Sequence, residues 1–152
     1  MGCVRKLPSI TGVLITQISR GFGKLRDMAA NFEDVFAALR LMFGKHATRL
    51  AVKADTPTEY TLVGKFPSPF PQHKGHPVYF GSVRLGKAYV SFHLFPLYMN
   101  PALTKTISPA LKKHMQGKTC FNFKTSPAPE ILSELKQLTK AGFEQFHKKK
   151  WL

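Results

Sequence analysis

"VYFGSVRLGKAYVSFHLFPL", Val78 to Leu97, is two apolar runs joined across Leu85, Gly86 and Lys87. Side chains on a strand alternate between two faces, so a run that alternates on both sides of a glycine turn predicts a β-hairpin. Its arms are expected at Val78 to Arg84 and Ala88 to Phe95, with Gly86 supplying a positive φ at the turn. On the second arm Ala88, Val90, Phe92 and Leu94 share a core face, while Tyr89, Ser91, His93 and Phe95 share a mixed one. Pro96 stops the ladder because it has no N–H to donate.

Working outward, the N-terminal side supplies one helix and two strands. Phe32, Val35, Phe36, Leu39, Met42 and Phe43 recur at three- and four-residue spacing, which predicts a helix from Asn31 to Gly44 with Asn31 as its cap. Arg49 to Lys53 and Glu59 to Val63 read as strands around the turn "KADTPTEY". "GKFPSPFPQHKGHP", Gly64 to Pro77, holds four prolines and two glycines and reads as a long surface loop. Toward the C-terminus, Ser108 and Pro109 open a short helix over Ala110 to Met115 that Gly117 ends. Lys118 to Lys124 alternates as a strand, and Pro129 opens a helix to Phe146 whose stripe is Ile131, Leu132, Leu135, Leu138 and Phe143. "HKKKWL" at the end reads as a frayed, solvated tail. The order of elements predicts a single-domain α+β fold, an antiparallel β-sheet with helices packed on one face.

The 152 residues suit one domain over 31–147, preceded by a basic leader over 1–30 and followed by a basic tail over 148–152. The leader reads as disordered or non-native, with a targeting peptide or an ordered arm as the other readings. No window reaches the roughly 18 apolar residues of a membrane span. Cys3 and Cys120 stand far apart, so no disulfide framework is predicted, and a cytosolic location suits the chain.

Charge sets the class of partner. Lys and Arg number 23 against 8 Asp and Glu, a formal +15, which points to an anionic partner: nucleic acid, acidic lipid or acidic protein. Between Tyr60 and Pro129 there is no Asp or Glu at all, which excludes paired-acid catalysis and hard-oxygen metal sites within the central sheet. His73 and His76 in "HKGH" lack a third ligand nearby, so no metal site and no cofactor are predicted. Cys120 reads as a buried thiol packed as a small apolar group, in preference to a nucleophile paired with His93, a coincidence open to any chain with six histidines. No phosphate loop, nucleophile elbow or dinucleotide fingerprint occurs. Tyr79, Phe80, Tyr89, Phe121 and Phe123 among lysines have the composition of a sheet that stacks bases.

"YFGSVRLGKAYVSFHLFP", Tyr79 to Pro96, followed by "MQGKTCFNFK", Met115 to Lys124, and Pro129 before an apolar helix, resembles the YdhG-like domain of unknown function. The likeness spans Phe32 to Phe146 and rests on Lys87, Pro96, Gly117, Lys118, Phe121 and Phe123. It implies a small α+β domain, related in fold to frataxin-like iron chaperones. Frataxin-like iron binding relies on acidic surface, which the acid-free centre does not supply. The expected function is therefore a non-enzymatic binding protein whose basic face of Arg84, Lys87, Lys112, Lys113, Lys118 and Lys124 takes an anionic or protein partner. Iron handling, nucleic-acid binding and catalysis through Cys120 or His93 are the alternatives.

Overall fold

The computed structural model describes residues 32–152; the predicted leader and the Asn31 cap lie outside them. Helix α1 (32–44) is followed by β1 (Ala51–Asp55), β2 (Glu59–Pro67), β3 (Pro77–Leu85) and β4 (Val90–Leu94). Three short helices come next: α2 (Pro96–Met99), α3 (Pro101–Lys105) and α4 (Pro109–Lys112). The two-residue strand β5 (Met115–Gln116), β6 (Cys120–Phe123) and the long α5 (Pro129–Lys148) complete the chain. The six strands form one antiparallel sheet in the order β1-β2-β3-β4-β6-β5. This is the α+β architecture read from the sequence. No helix among the described residues is long and apolar enough to cross a membrane.

The core lies between one face of the sheet and the helices. Val90, Phe92 and Leu94 of β4, and Phe121 and Phe123 of β6, are fully buried on that face. The Phe43 ring of α1 stacks on Phe92 with centroids 4.8 Å apart and meets Phe80 edge-on at 5.8 Å. Phe146 of α5 meets Phe80 edge-on at 5.1 Å. Each such pair adds about 0.5–1.5 kcal/mol beyond the area it buries. Register changes along β3, where Leu62 pairs with Gly81 but Val63 pairs with Tyr79. The extra residue lets Phe80 join the core while Tyr79 turns to the other face, where its hydroxyl lies 2.7 Å from Ser82 Oγ. Gly81 is required there because a Cβ would meet the carbonyl of His93 and the Phe43 ring.

Several boundaries differ from expectation. β1 starts two residues later because Arg49 and Leu50 still donate to His46 O, extending the turn after α1. β2 runs into the proline-rich stretch as far as Pro67, which pairs with Pro77 beyond the end of β1. The loop is thus shorter, and it is tightened by a 3-10 turn, Pro71–His73. The second hairpin arm begins at Val90, and Gly86 does not take a left-handed φ. Its N–H donates to Tyr89 O, closing a longer turn in which a Cβ at Gly86 would crowd that same carbonyl. Ser108 caps α4 as expected, its Oγ accepting from Leu111 N at 3.1 Å. That helix stops at Lys112, since Met115 and Gln116 pair with β6, and Gly117, with φ 77°, makes the strand turn rather than a helix end.

The tail is the main correction. Trp151 is buried, its N–H donates to Phe146 O, and its carbonyl accepts from Lys65 N at 3.2 Å. Its ring meets Phe146 and Phe70 edge-on. A large apolar side chain outweighed the preceding lysines, whose charges face water.

Candidate functional site

The face of the sheet turned away from α1 and α5 carries a row that is polar on every strand but β1. Ala54, Thr61, Ser82, His93, Cys120 and Gln116 stand opposite one another across all six strands. His93 Nε2 lies 3.3 Å from Cys120 Sγ, and that sulfur lies 3.4 Å from Asn122 Oδ1. Burial, with help from the Arg84 charge, holds His93 below its usual pKa, and burial pushes the Cys120 thiol up. The pair is therefore a neutral imidazole beside a neutral thiol at pH 7. A cysteine nucleophile needs the opposite electrostatics, a thiolate held beside a cation. His93 and Cys120 are opposite one another on β4 and β6, and these electrostatics favour a hydrogen-bonded rung of the sheet over a nucleophile and its base.

The six predicted basic residues do not share one face; they fall into three groups. Arg84, at the end of β3, donates to Glu59 Oε1 at 3.0 Å, and Lys87 sits in the hairpin turn beyond it. Lys113 and Lys124 line a groove beside β5 with His114 and Asn122. Lys112 and Lys118 join Lys105 around a pocket of about 370 Å³ floored by Leu97 and flanked by Tyr98.

The third group is the most constructed. Pro96, Pro101 and Pro109 each open a short helical turn, because the fixed proline φ suits a first turn. Asn100 Oδ1 caps α3 by accepting from Leu103 N, and Thr104 Oγ1 donates to Leu97 O, locking α3 onto α2. Glu134 accepts from both Ser108 N and Ser108 Oγ at 2.6 Å, tying the start of α4 to α5. Leu97, Ile107 and Leu111 anchor these turns in the core. Gly117 allows the tight turn that swings Lys118 to 5.8 Å from the centre of the Tyr98 ring. Tyr98 itself is 59% exposed and stacks on Phe95. Among the described residues no Asp or Glu lines the pocket. Among the described residues the ion pairs are Arg40 with Asp55 and Arg84 with Glu59, so all three lysines lack an acidic partner.

Tyr98 and Lys105 escaped the sequence reading. Their signal was the spacing of three prolines in "PLYMNPALTKTISP", which marks compact turns that fold back instead of a loose connection. The base-stacking surface does not form: Phe80, Phe121 and Phe123 are shut in the core, leaving Tyr89 exposed and Tyr79 half-buried. "HKGH" folds into the turn after Pro71, where His73 packs edge-on against Phe70 at 5.3 Å. Among the described residues no three His, Cys, Asp or Glu side chains gather as a metal requires. Set against family models, curated proteins and solved structures, the chain finds no match, so its own residues carry the functional reading.

Proposed function

We propose that this chain is a non-catalytic binding protein of the YdhG-like type that takes an anionic partner at the pocket of Lys105, Lys112 and Lys118 beside Tyr98. The observation that carries this reading is the convergence of three lysines from three separate segments on one acid-free pocket. A phosphate or carboxylate seated there meets ammonium groups that no carboxylate among the described residues neutralises. Arg84 is a weaker candidate because Glu59 already occupies its guanidinium. Neither iron handling nor base stacking has a comparable observation behind it.

Titrating a labelled single-stranded oligonucleotide tests the reading. Three lysine contacts to phosphates predict a slope of log K against log salt near −2, so affinity falls about 20-fold between 50 and 200 mM salt. Lys112→Glu with Lys118→Glu abolishes that binding, whereas Lys87→Glu with Lys124→Glu, equal in charge, leaves most of it. Loss confined to the second pair moves the contact away from this pocket, to the hairpin turn of Lys87 or the groove of Lys124, and no binding at low salt removes the reading.

A further inference from the structure

A second surface has different chemistry. Ala38, Leu41, Met42 and Lys45 follow one another at helical spacing along α1 and the turn after it, and Pro129, Leu132, Ser133 and Lys136 do the same on α5. Between these two faces lies a groove of about 670 Å³, apolar along its length. Leu41 is 71% exposed on its wall, and at Gly44 nothing approaches the position a Cβ would occupy. The volume falls within the range of small-molecule pockets, which combine apolar walls with a few polar groups that fix orientation. Among the described residues the polar groups here are Lys45, Lys136 and Ser133, and none that lines the groove is acidic.

We infer that this groove binds an anionic amphiphile, a long-chain carboxylate whose alkyl chain lies along Leu41, Met42 and Leu132 and whose head pairs with Lys45 or Lys136. Charge decides between occupants. A second copy of the chain carries a net +15, and the leader holds Arg5, Lys6, Arg20, Lys24 and Arg26 against the single acid Asp27, so both bear the same sign of charge as the lysine rim. A carboxylate head meets that rim with opposite charge, and its tail covers a leucine that otherwise faces water.

Calorimetric titration of the full chain with dodecanoate below its micellar concentration tests this, with dodecyltrimethylammonium as the same chain bearing the opposite charge. Dodecanoate is expected to bind at one site at least tenfold more tightly than the cation. Leu41→Glu, at an exposed position that folding does not depend on, is expected to weaken dodecanoate at least tenfold. Lys45→Glu with Lys136→Glu is expected to remove the preference for the anion, while Lys87→Glu with Lys124→Glu, matched in charge, is expected to preserve it. Absence of saturable binding, or binding that survives Leu41→Glu, overturns the inference. An acidic amphipathic peptide that binds where dodecanoate does not, or self-association abolished by Leu41→Glu with no dodecanoate bound, overturns it in favour of a protein occupant.

Discussion

At the scale of single residues, His93 and Cys120 show how a catalytic pair and a structural rung differ. Both present a sulfur near an imidazole; only the protonation state separates them. Burial keeps His93 and His46 below the ordinary histidine pKa, with Arg84 adding to the effect at His93 and Lys45 at His46. For such a group the unfolded chain takes up its proton first as pH falls, so stability is complete above the unfolded value near 6.5 and declines as pH drops through the folded values. Urea midpoints at pH 7.5 and 5.5 are expected to fall toward the lower pH, and His93→Gln with His46→Gln flattens that slope. A flat profile in the wild-type chain would show that neither ring is held neutral by the fold. Glu59, whose pKa is lowered first by its bond from Thr61 and further by Arg84, titrates below this window and does not confuse it. The thiol makes a matching statement. In a Cys3→Ser background, Cys120 is expected to react with a disulfide reagent more slowly than free cysteine at pH 7.5 and at the ordinary rate in urea. Fast labelling of the folded protein would return it to the list of nucleophiles.

Among the elements, legibility followed periodicity. The hairpin, α1 and α5 were readable because alternation and helical spacing report which face is buried, and Phe92, Leu39 and Leu135 are each fully buried as that spacing requires. The segment from Pro96 to Thr106 was not readable, since turns of four or five residues are too short to show a period and are fixed by Asn100 and Thr104 instead. The candidate pocket is built on that segment, so two of its lysines were found by composition while Tyr98 and Lys105 were missed. The bulge at Phe80 and Gly81 was equally hidden, because strict alternation places Phe80 opposite Gly81 and Val83. The C-terminal tail was misread for a related reason: local charge said solvent, whereas Trp151 finds its partners in Phe70 and Phe146, distant and near in the chain. Trp151→Ala is expected to cost about 3–5 kcal/mol, as other buried tryptophan truncations do. Phe66→Ala, at a residue 55% exposed, is expected to fall within about 0.5 kcal/mol of the parent. Equal urea midpoints for the two variants would mean that the tail does not clamp the fold. Gly64→Ala probes the same clamp from the strand side, since a Cβ there runs into the Trp151 carbonyl.

For the molecule as a whole, the full chain carries an excess of fifteen positive charges, and its described residues offer two ion pairs. Surface pairs of that kind contribute about 0–1 kcal/mol each, so they do not offset the mutual repulsion of many lysines held close together. Unfolding spreads those charges apart, and the folded state is therefore the one that salt relieves. Screening shortens the reach of each charge to about 10 Å at 0.1 M, so added salt is expected to raise the thermal midpoint, the reverse of a protein held by surface ion pairs. The size of that rise with sodium chloride measures general repulsion. Phosphate at equal ionic strength separates the general effect from a site: occupation of the lysine pocket adds stability as RT ln(1 + [L]/Kd), on top of the screening and the general stabilisation that any excluded anion provides. Sulfate serves as the second excluded anion, and the Lys112→Glu, Lys118→Glu variant as the chain without the pocket. The increment from phosphate over chloride is expected to shrink in that variant and to persist in Lys87→Glu, Lys124→Glu. An increment identical in all three proteins would leave the charge of this molecule as a diffuse property of its surface, with no pocket that concentrates it.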